Sequence, residues 1–129
     1  KREEKVDILV NNAGAAWGEP LEGYAESGWD KVFDINIKGP FFLIQKMLPL
    51  LKKAATYDAP ARVINTASIN GINPPMLETY AYSSSKAGMI MLTRHLAQRL
   101  ATDDILLNCI APGPFQSHMM AATLATLGD

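Results

Sequence analysis

Tyr82 and Lys86 are the residues of this sequence whose types and spacing most clearly suggest chemistry. They enclose three serines, in the order Tyr82-Ser83-Ser84-Ser85-Lys86, and stand at the start of a strongly apolar helical pattern. Residues four positions apart lie on one face of a helix, about 6 Å apart along its axis, so an ammonium group would stand beside a phenol. An adjacent cation favours the ionised phenolate. The pair therefore predicts a proton-transfer site, although the spacing alone is a weak signal.

Polar and turn-forming residues follow three short apolar segments, which we interpret as buried β-strands. The three segments and the residues after them are 7–10 with Asn11-Asn12-Ala13-Gly14, 62–64 with Asn65-Thr66-Ala67-Ser68, and 105–111 with Pro112-Gly113. Two long helical patterns separate the strands, which favours an α/β fold with a parallel sheet and right-handed crossovers. Ligands bind beyond the carboxyl ends of the strands in such sheets. All of these residue groups fall on that edge.

The first helical pattern connects the first two strands. It begins near Ser27-Gly28-Trp29-Asp30, which resembles a capping box with Asp in place of the usual Glu or Gln. Apolar residues then recur every three or four positions as far as Leu51, which predicts a stripe facing the sheet. Pro40 stands four residues after Asn36 in this pattern. Because proline has no amide hydrogen, we expect a bend that releases the Asn36 carbonyl to a water molecule, unless Pro40 simply divides two helices.

The second helical pattern begins near Tyr82 and is apolar on two neighbouring faces. One face carries Met89, Leu92, Leu96 and Leu100, and the other carries Ala87, Ile90 and Met91. This apolar surface is wider than one contact with a sheet requires. It fits either a deeply buried helix or an interface between copies of the protein.

The composition is ordinary for a soluble α/β domain. In 129 residues, 48% are hydrophobic, which is enough to bury one core. The formal net charge of −1 offers no electrostatic attraction to nucleic acid. The best apolar run, 40–51, contains Gln45 and Lys46 and is too short to span a bilayer. Cys109 is the only cysteine, so no disulfide framework is expected and a cytoplasmic location is favoured.

Neither histidine has the sequence neighbours of a metal ligand. His95 falls on a predicted helix surface and His118 in a later loop, without a carboxylate or cysteine at ligand spacing. We interpret Asp103-Asp104 as a solvated loop before the third strand. The sequence therefore predicts no metal site.

Taken together, the motifs resemble those of the short-chain dehydrogenase/reductase family of nicotinamide-dependent oxidoreductases. The matching residues are, in order, Asn11-Asn12-Ala13-Gly14, Asn36, Ser68, Tyr82 with Lys86, and Pro112-Gly113. The resemblance covers essentially the whole chain. It implies that residues 1–129 are a fragment of a doubly wound parallel Rossmann-type sheet, in the order strand-helix-strand-helix-strand.

The resemblance implies a catalytic role for four of these residues. Tyr82 would donate a proton to a substrate carbonyl while a nicotinamide cofactor supplies a hydride. Lys86 would hydrogen-bond the ribose hydroxyls of the cofactor, and Ser68 would hydrogen-bond the substrate oxygen. Asn36 would anchor a water molecule that connects Lys86 with solvent, which is the water that the Pro40 hypothesis concerns.

The resemblance also implies a set of cofactor-binding residues, and NADP or NAD as the cofactor, with NADPH slightly favoured. The set is Asn11, Asn12, Ala13, Gly14, Tyr82, Lys86, Pro112, Gly113 and Ser117. In this set Ser117 stands where the family usually has a threonine that reaches the carboxamide. Serine and threonine both carry a hydroxyl, so we expect little loss of the contact with the carboxamide.

The cofactor site implied by the resemblance is larger than this chain. No glycine-rich G-x-G-x-x-G turn occurs in the sequence. We expect that turn, and the residue that selects the adenosine ribose, on two strands before residue 1, and we expect the C-terminal part of the domain after residue 129. Residues 1–129 would then be the catalytic half of a Rossmann-type oxidoreductase domain.

The predicted function is hydride transfer between NAD(P)(H) and a carbonyl or secondary alcohol. The connection at 56–62 and the segment Pro112-Gly113-Pro114-Phe115 look like those of 3-oxoacyl carrier-protein reductases of the rhamnolipid type, so the substrate would be a small carbonyl or acyl compound. The resemblance further implies a homodimer or homotetramer formed through the two long helices. The alternative is a truncated, cofactor-free piece without activity, at most an interaction module.

Overall fold

Three parallel strands form a sheet in which the spatial order is also the chain order. The computed structural model describes residues 4–114. Its strands are β1 (Ile8–Asn11), β2 (Ala61–Thr66) and β3 (Ile105–Ile110), with β2 in the centre. The sequence prediction of a parallel α/β fragment is confirmed.

A long helical run joins β1 to β2. It consists of α1 (Glu26–Phe33), a π-helical turn (Asp34–Lys38) and α2 (Gly39–Ala54). The predicted capping box is wrong, because the helix begins before Ser27 and Ala25 occupies the N-cap without a capping side chain. The Ala25 carbonyl instead accepts the first helical bonds, from the amides of Gly28 and Trp29 at 3.1 and 3.2 Å.

Pro40 is the second residue of α2, which follows directly after the π-helical turn. The amide of Gly39 bonds the carbonyl of Asp34, five residues earlier, and the residues on either side keep right-handed helical angles. A π-helical turn shifts the hydrogen-bond register by one residue, which accommodates a residue without an amide hydrogen. The helical run is therefore continuous across Pro40, and Pro40 does not divide two helices. Water binding at the Asn36 carbonyl stays a prediction.

The second connection holds the longest helix, α3 (Tyr80–Leu100), which begins two residues before Tyr82. A 3-10 turn at Ile69–Gly71 follows β2, and another at Ala101–Asp103 follows α3. Asp104 then adopts a left-handed conformation with φ of 58°, which turns the chain into β3. The carboxylate of Asp103 pairs with Arg99 at 3.4 Å and with Lys52 at 3.8 Å, which ties the ends of α3 and α2 together.

Both long helices pack on the same face of the sheet. The strand residues in the core alternate along β2 and β3, so they point to one side, and they contact buried residues of α2 and α3. This core consists of Ile44, Leu51, Ala61, Val63, Leu100, Ile105 and Leu107. On the opposite face, Ile8, Val10, Leu106 and Ile110 are 38 to 59% exposed. The described part of the chain therefore covers one face of its sheet.

The two apolar faces of α3 differ in burial. Met89 and Leu100 are buried, whereas Ala87 and Met91 are exposed on the neighbouring face, as is His95. Ile90 of that second face is half-buried, so within the described residues the second face is only partly covered. Across residues 4–114, none of the helices combines the length and the apolar character needed to cross a membrane.

Candidate active site at the carboxyl edge of the sheet

The first turns of α3 place Lys86 beside Tyr82, as the four-residue spacing predicts. The Lys86 ammonium nitrogen lies 5.7 Å from the centre of the Tyr82 ring and donates a hydrogen bond to the Thr66 carbonyl at 3.0 Å. Lys86 is only 4% exposed, and Tyr82 is half-buried. Burial lowers the pKa of the Lys86 ammonium below its usual value, because the charged form loses hydration. A buried cation is thereby held next to a phenol that solvent still reaches.

Ser68 lies just beyond the end of β2, between two contacts with Lys86. Thr66, two residues before Ser68, accepts the hydrogen bond of the Lys86 ammonium with its carbonyl. Gly71, three residues after Ser68, packs against the backbone of Lys86. The Ser68 oxygen accepts the Asn70 amide hydrogen at 3.1 Å and the residue is 6% exposed. That bond occupies a lone pair, so the hydroxyl hydrogen can still be donated.

Gly71 allows the segment after Ser68 to touch the backbone of α3. A Cβ atom on Gly71 would lie 2.6 Å from the carbonyl carbon of Lys86 and 2.7 Å from the amide nitrogen of Ala87. Real side chains do not approach a backbone so closely, so only glycine fits without a shift. Gly71 therefore sets the distance between the Ser68 segment and the helix that carries Tyr82.

Asn36 lies in the π-helical turn, and its side chain is 1% exposed. Its amide oxygen accepts the Ala15 amide hydrogen at 2.8 Å, and its amide nitrogen donates to the Ala15 carbonyl at 2.9 Å and to the Ser85 hydroxyl at 3.0 Å. The side chain thus uses both of its donor hydrogens on the protein itself. It joins the loop after β1 to α3.

The Asn12-Ala13-Gly14 segment is exposed and runs past Lys86. A Cβ atom on Gly14 would lie 3.6 Å from the Lys86 ammonium nitrogen and 3.7 Å from the Asn36 amide oxygen. The Thr66 hydroxyl donates to the Asn12 side chain at 3.2 Å, which connects this segment with the end of β2. The structure therefore brings these predicted site residues together around the ammonium group.

Asn11, by contrast, points into the protein. The Asn11 side chain donates a hydrogen bond to the Asn65 side chain at 2.8 Å. Asn65 in turn donates to the Thr93 hydroxyl at 3.0 Å, and that hydroxyl donates to the Met89 carbonyl at 2.7 Å. All three polar residues are at most 7% exposed. This buried chain of hydrogen bonds joins β1, β2 and α3, so the Asn11 side chain has a structural role.

Pro112 and Gly113 follow β3 on the same edge. The Pro112 carbonyl accepts the amide hydrogen of Ile69 at 3.0 Å, which places the two residues side by side next to Ser68. Gly113 is exposed. Ser117, the remaining predicted cofactor residue, lies outside the described residues.

Comparison with known proteins gives the family. The pattern that defines the short chain dehydrogenases matches residues 1–127. The chain belongs to the short-chain dehydrogenase family. A rhamnolipid-biosynthesis 3-oxoacyl-[acyl-carrier-protein] reductase of Pseudomonas aeruginosa is 49% identical over 115 residues, covering 89% of this chain and 45% of that protein. A 3-oxoacyl-[acyl-carrier-protein] reductase of Staphylococcus epidermidis is 39% identical over 126 residues, covering 96% and 49%. The chain thus spans about half the length of the curated relatives that it matches.

Solved structures of short-chain dehydrogenases share the fold. A complex of Pseudomonas aeruginosa RhlG with NADP superposes with a TM-score of 0.89 at 46% identity, covering 96% of this chain and 48% of that one. A xylitol dehydrogenase bound to NAD⁺ superposes with a TM-score of 0.82 at 30% identity, covering 96% and 46%. The resemblance stated from the motifs is confirmed.

The residues present fit the nicotinamide end of such a cofactor. Lys86 has three donor hydrogens, of which the Thr66 carbonyl takes one, so two can bind the hydroxyls of a ribose. The neighbouring Gly14 has no side chain to crowd that space, and its segment is exposed. Both observations agree with a short-chain dehydrogenase site at this edge.

A pair of hydrogen bonds at the Tyr24 hydroxyl joins the loop after β1 to the start of α3, next to Tyr82 in the sequence. The Tyr24 hydroxyl donates to the Trp17 carbonyl at 2.8 Å and accepts the amide hydrogen of Ala81 at 3.4 Å. The N-cap residue of α3, Thr79, provides no capping side chain. Tyr24 therefore satisfies an amide in the first turn of α3 that would otherwise lack a helical partner. Sequence reasoning did not find this contact.

Proposed function

We propose that this chain is the catalytic half of an oxidoreductase that transfers a hydride between a nicotinamide nucleotide and a carbonyl or secondary alcohol. The observation that carries the proposal is the buried Lys86 ammonium 5.7 Å from the centre of the half-buried Tyr82 ring, at the carboxyl edge of a parallel sheet. Cofactor-dependent sites of this fold class lie at that edge.

Three side chains divide the work on the substrate oxygen. Tyr82 donates its phenolic proton to the oxygen during reduction and accepts it back during oxidation. Lys86 stabilises the negative charge that remains on Tyr82 after transfer, because a cation favours the phenolate. Ser68 donates a hydrogen bond to the same oxygen, which stabilises the charge developing there.

The cofactor belongs to the proposal as NADP or NAD. RhlG was solved as a complex with NADP and the xylitol dehydrogenase as a complex with NAD⁺, and the higher identity to RhlG favours NADP. Lys86, the Asn12-Ala13-Gly14 segment and the Pro112-Gly113 pair would hold its nicotinamide end. A bound nicotinamide nucleotide would supply or accept the hydride. The residues that bind its other end would lie outside this chain, in the remaining half of a Rossmann-type domain.

A 3-oxoacyl thioester is the substrate that the relatives favour. Two of them carry the name of 3-oxoacyl-[acyl-carrier-protein] reductases, at 49% and 39% identity. A homodimer or homotetramer in the cytoplasm completes the proposal. The exposed apolar residues of α3, among them Met91, support an interface between copies.

The experiment uses the whole polypeptide that contains this chain. Consumption of NADPH and NADH is measured with a 3-oxoacyl thioester and, as the matched control, with the saturated acyl thioester of the same length. We expect consumption with the 3-oxo compound only, since the saturated thioester lacks the ketone that accepts the hydride in the proposed reaction. Consumption with neither compound, nor with any simple ketone or aldehyde, would contradict the proposed function.

A further inference from the structure

Three consecutive serines separate Tyr82 from Lys86, and only the last of them is fully buried. Ser85 has no exposed surface, whereas Ser84 is exposed and Ser83 lies between these extremes. The Ser85 hydroxyl donates to the carbonyl of Tyr82 at 2.8 Å. It also accepts a hydrogen of the Asn36 side-chain amide at 3.0 Å.

These two bonds connect three segments of the site. Through Asn36, whose amide pairs with both backbone groups of Ala15, Ser85 is linked to the π-helical turn and to the loop after β1. Through the Tyr82 carbonyl it is linked to the first turn of α3. Gly14, in the same loop, lies beside the Lys86 ammonium. Ser85 is thus the point at which the loop, the turn and the helix meet.

We propose that Ser85 is a positioning residue, which fixes the Tyr82–Lys86 pair relative to the loop after β1. The inference rests on the proposed function, because the position matters only if Tyr82 delivers a proton. Ser85 is fully buried, and its hydroxyl bonds the Tyr82 carbonyl and the Asn36 amide. It acts through the Tyr82 backbone and through the orientation of the Asn36 amide.

Removal of the Ser85 hydroxyl would leave one buried Asn36 hydrogen without an acceptor. A buried donor without a partner is unfavourable, so the amide rotates or the first turn of α3 shifts. Rotation loosens the loop that runs past Lys86, and a shift of the turn displaces the Tyr82 phenol. In both cases the proton donor loses its alignment, while Ser68, which binds the substrate oxygen in the proposed function, remains. A small misplacement of this kind lowers the turnover number far more than it alters binding.

The test is made on the whole active polypeptide with Ser85→Ala. We expect kcat to fall about ten-fold or more with little change in KM for the carbonyl substrate, and the pH dependence of kcat to move. Ser83→Ala is the matched control, because Ser83 donates to the Tyr80 carbonyl at 3.3 Å in the same manner without contacting Asn36. Ser84→Ala controls for loss of an exposed serine. Both controls should keep the wild-type kcat and pH profile.

A second variant separates positioning from folding. Ser85→Cys keeps a weak donor and acceptor, so it should recover part of the lost kcat and of the pH profile. It also carries the test if Ser85→Ala does not fold. A kcat and pH profile of Ser85→Ala equal to those of wild type, or an equal loss in Ser83→Ala, would overturn the inference alone. A wild-type protein that reduces no carbonyl would overturn the proposed function, and this inference with it.

Discussion

The Lys86 ammonium is held between the Tyr82 ring, whose centre lies 5.7 Å away, and the Thr66 carbonyl, to which it donates a hydrogen bond at 3.0 Å. The helix α3 and the end of β2 thereby share one buried cation. A bond to a single carbonyl does not replace the hydration that a lysine loses on burial. The structure therefore keeps the charge at this place at the expense of stability, as expected of a residue retained for chemistry.

The pH dependence of stability should reveal this buried charge. Burial lowers the Lys86 pKa in the folded protein, whereas a lysine in the unfolded chain has a pKa of about 10.4. Between the lowered pKa and the unfolded value, the unfolded chain binds more protons, so the free energy of unfolding rises with pH in that window. The rise should be absent from Lys86→Met.

Urea unfolding of both proteins, from pH 7 to about pH 10, measures this difference. Ionisable groups distant from Lys86 titrate in both proteins and cancel in the comparison. Lys46→Met, which removes an exposed lysine of α2, controls for the loss of a positive charge. The free energy of unfolding of wild type minus that of Lys86→Met should therefore rise with pH; if this value stays constant or falls, the result counts against the buried charge.

Gly71→Ala should destabilise the protein by about 1–3 kcal/mol, the usual cost of overpacking. The added Cβ would meet backbone atoms of α3 at Lys86. Backbone atoms inside a helix cannot move aside as the end of a flexible side chain can. Gly23→Ala is the control, since a Cβ there meets nothing within 4 Å. Thermal unfolding compares the two variants with wild type. Equal melting temperatures for both variants would show that the contact at Gly71 relaxes without cost.

Thr93→Val should cost about 1–3 kcal/mol of stability, because it leaves a buried Asn65 donor without its acceptor. Valine has nearly the shape of threonine, so the loss reports on the hydrogen bonds and not on a cavity. Thr102→Val, at an exposed position after α3, is the matched control. Chemical denaturation measures both variants. If Thr93→Val is as stable as Thr102→Val, the chain of hydrogen bonds from Asn11 contributes nothing to stability.

Residues 1–129 alone should bind nicotinamide nucleotide poorly and catalyse nothing. The described residues provide no partner strand for the free edge of β1, and Ile8 and Val10 there are 59% and 55% exposed. We expect concentration-dependent association, as unpaired edges promote it. Calorimetry with NADPH and NADH, together with light scattering, tests both expectations. Micromolar nucleotide binding by a monomeric chain would contradict them.

The sequence predicts much of this fold because its signals are local. Each strand is a short apolar run that ends in turn-forming residues, and helical periodicity continues through Leu51 and from Met89 to Leu100. The Tyr82–Lys86 contact is also local, since four-residue spacing on a helix guarantees it. Such features need no knowledge of the tertiary structure.

The contacts that sequence reasoning missed join distant segments. Asn65 stands at a core-facing position of β2, between Val63 and Ala67, and a polar residue there should have indicated a buried partner. Nothing in the local sequence identifies Thr93, 28 residues later, as that partner. Gly71 and Ser85 likewise depend on how α3 approaches its neighbours. The start of α1 differs from the predicted one because Ala25 occupies the N-cap without a capping side chain.

The most direct test of the central claim compares Tyr82→Phe with Tyr80→Phe in the whole polypeptide. Each variant removes one phenol from the start of α3, and Tyr80 donates its hydroxyl only to the nearby Glu78 carboxylate at 3.2 Å. Nucleotide affinity and the rate of carbonyl reduction are measured for both. The account predicts that Tyr82→Phe lowers turnover at least about a hundred-fold, the usual worth of a positioned acid, with nucleotide affinity nearly intact. Tyr80→Phe should behave like wild type. Near wild-type turnover in Tyr82→Phe would contradict the account, because the proton would then come from another group.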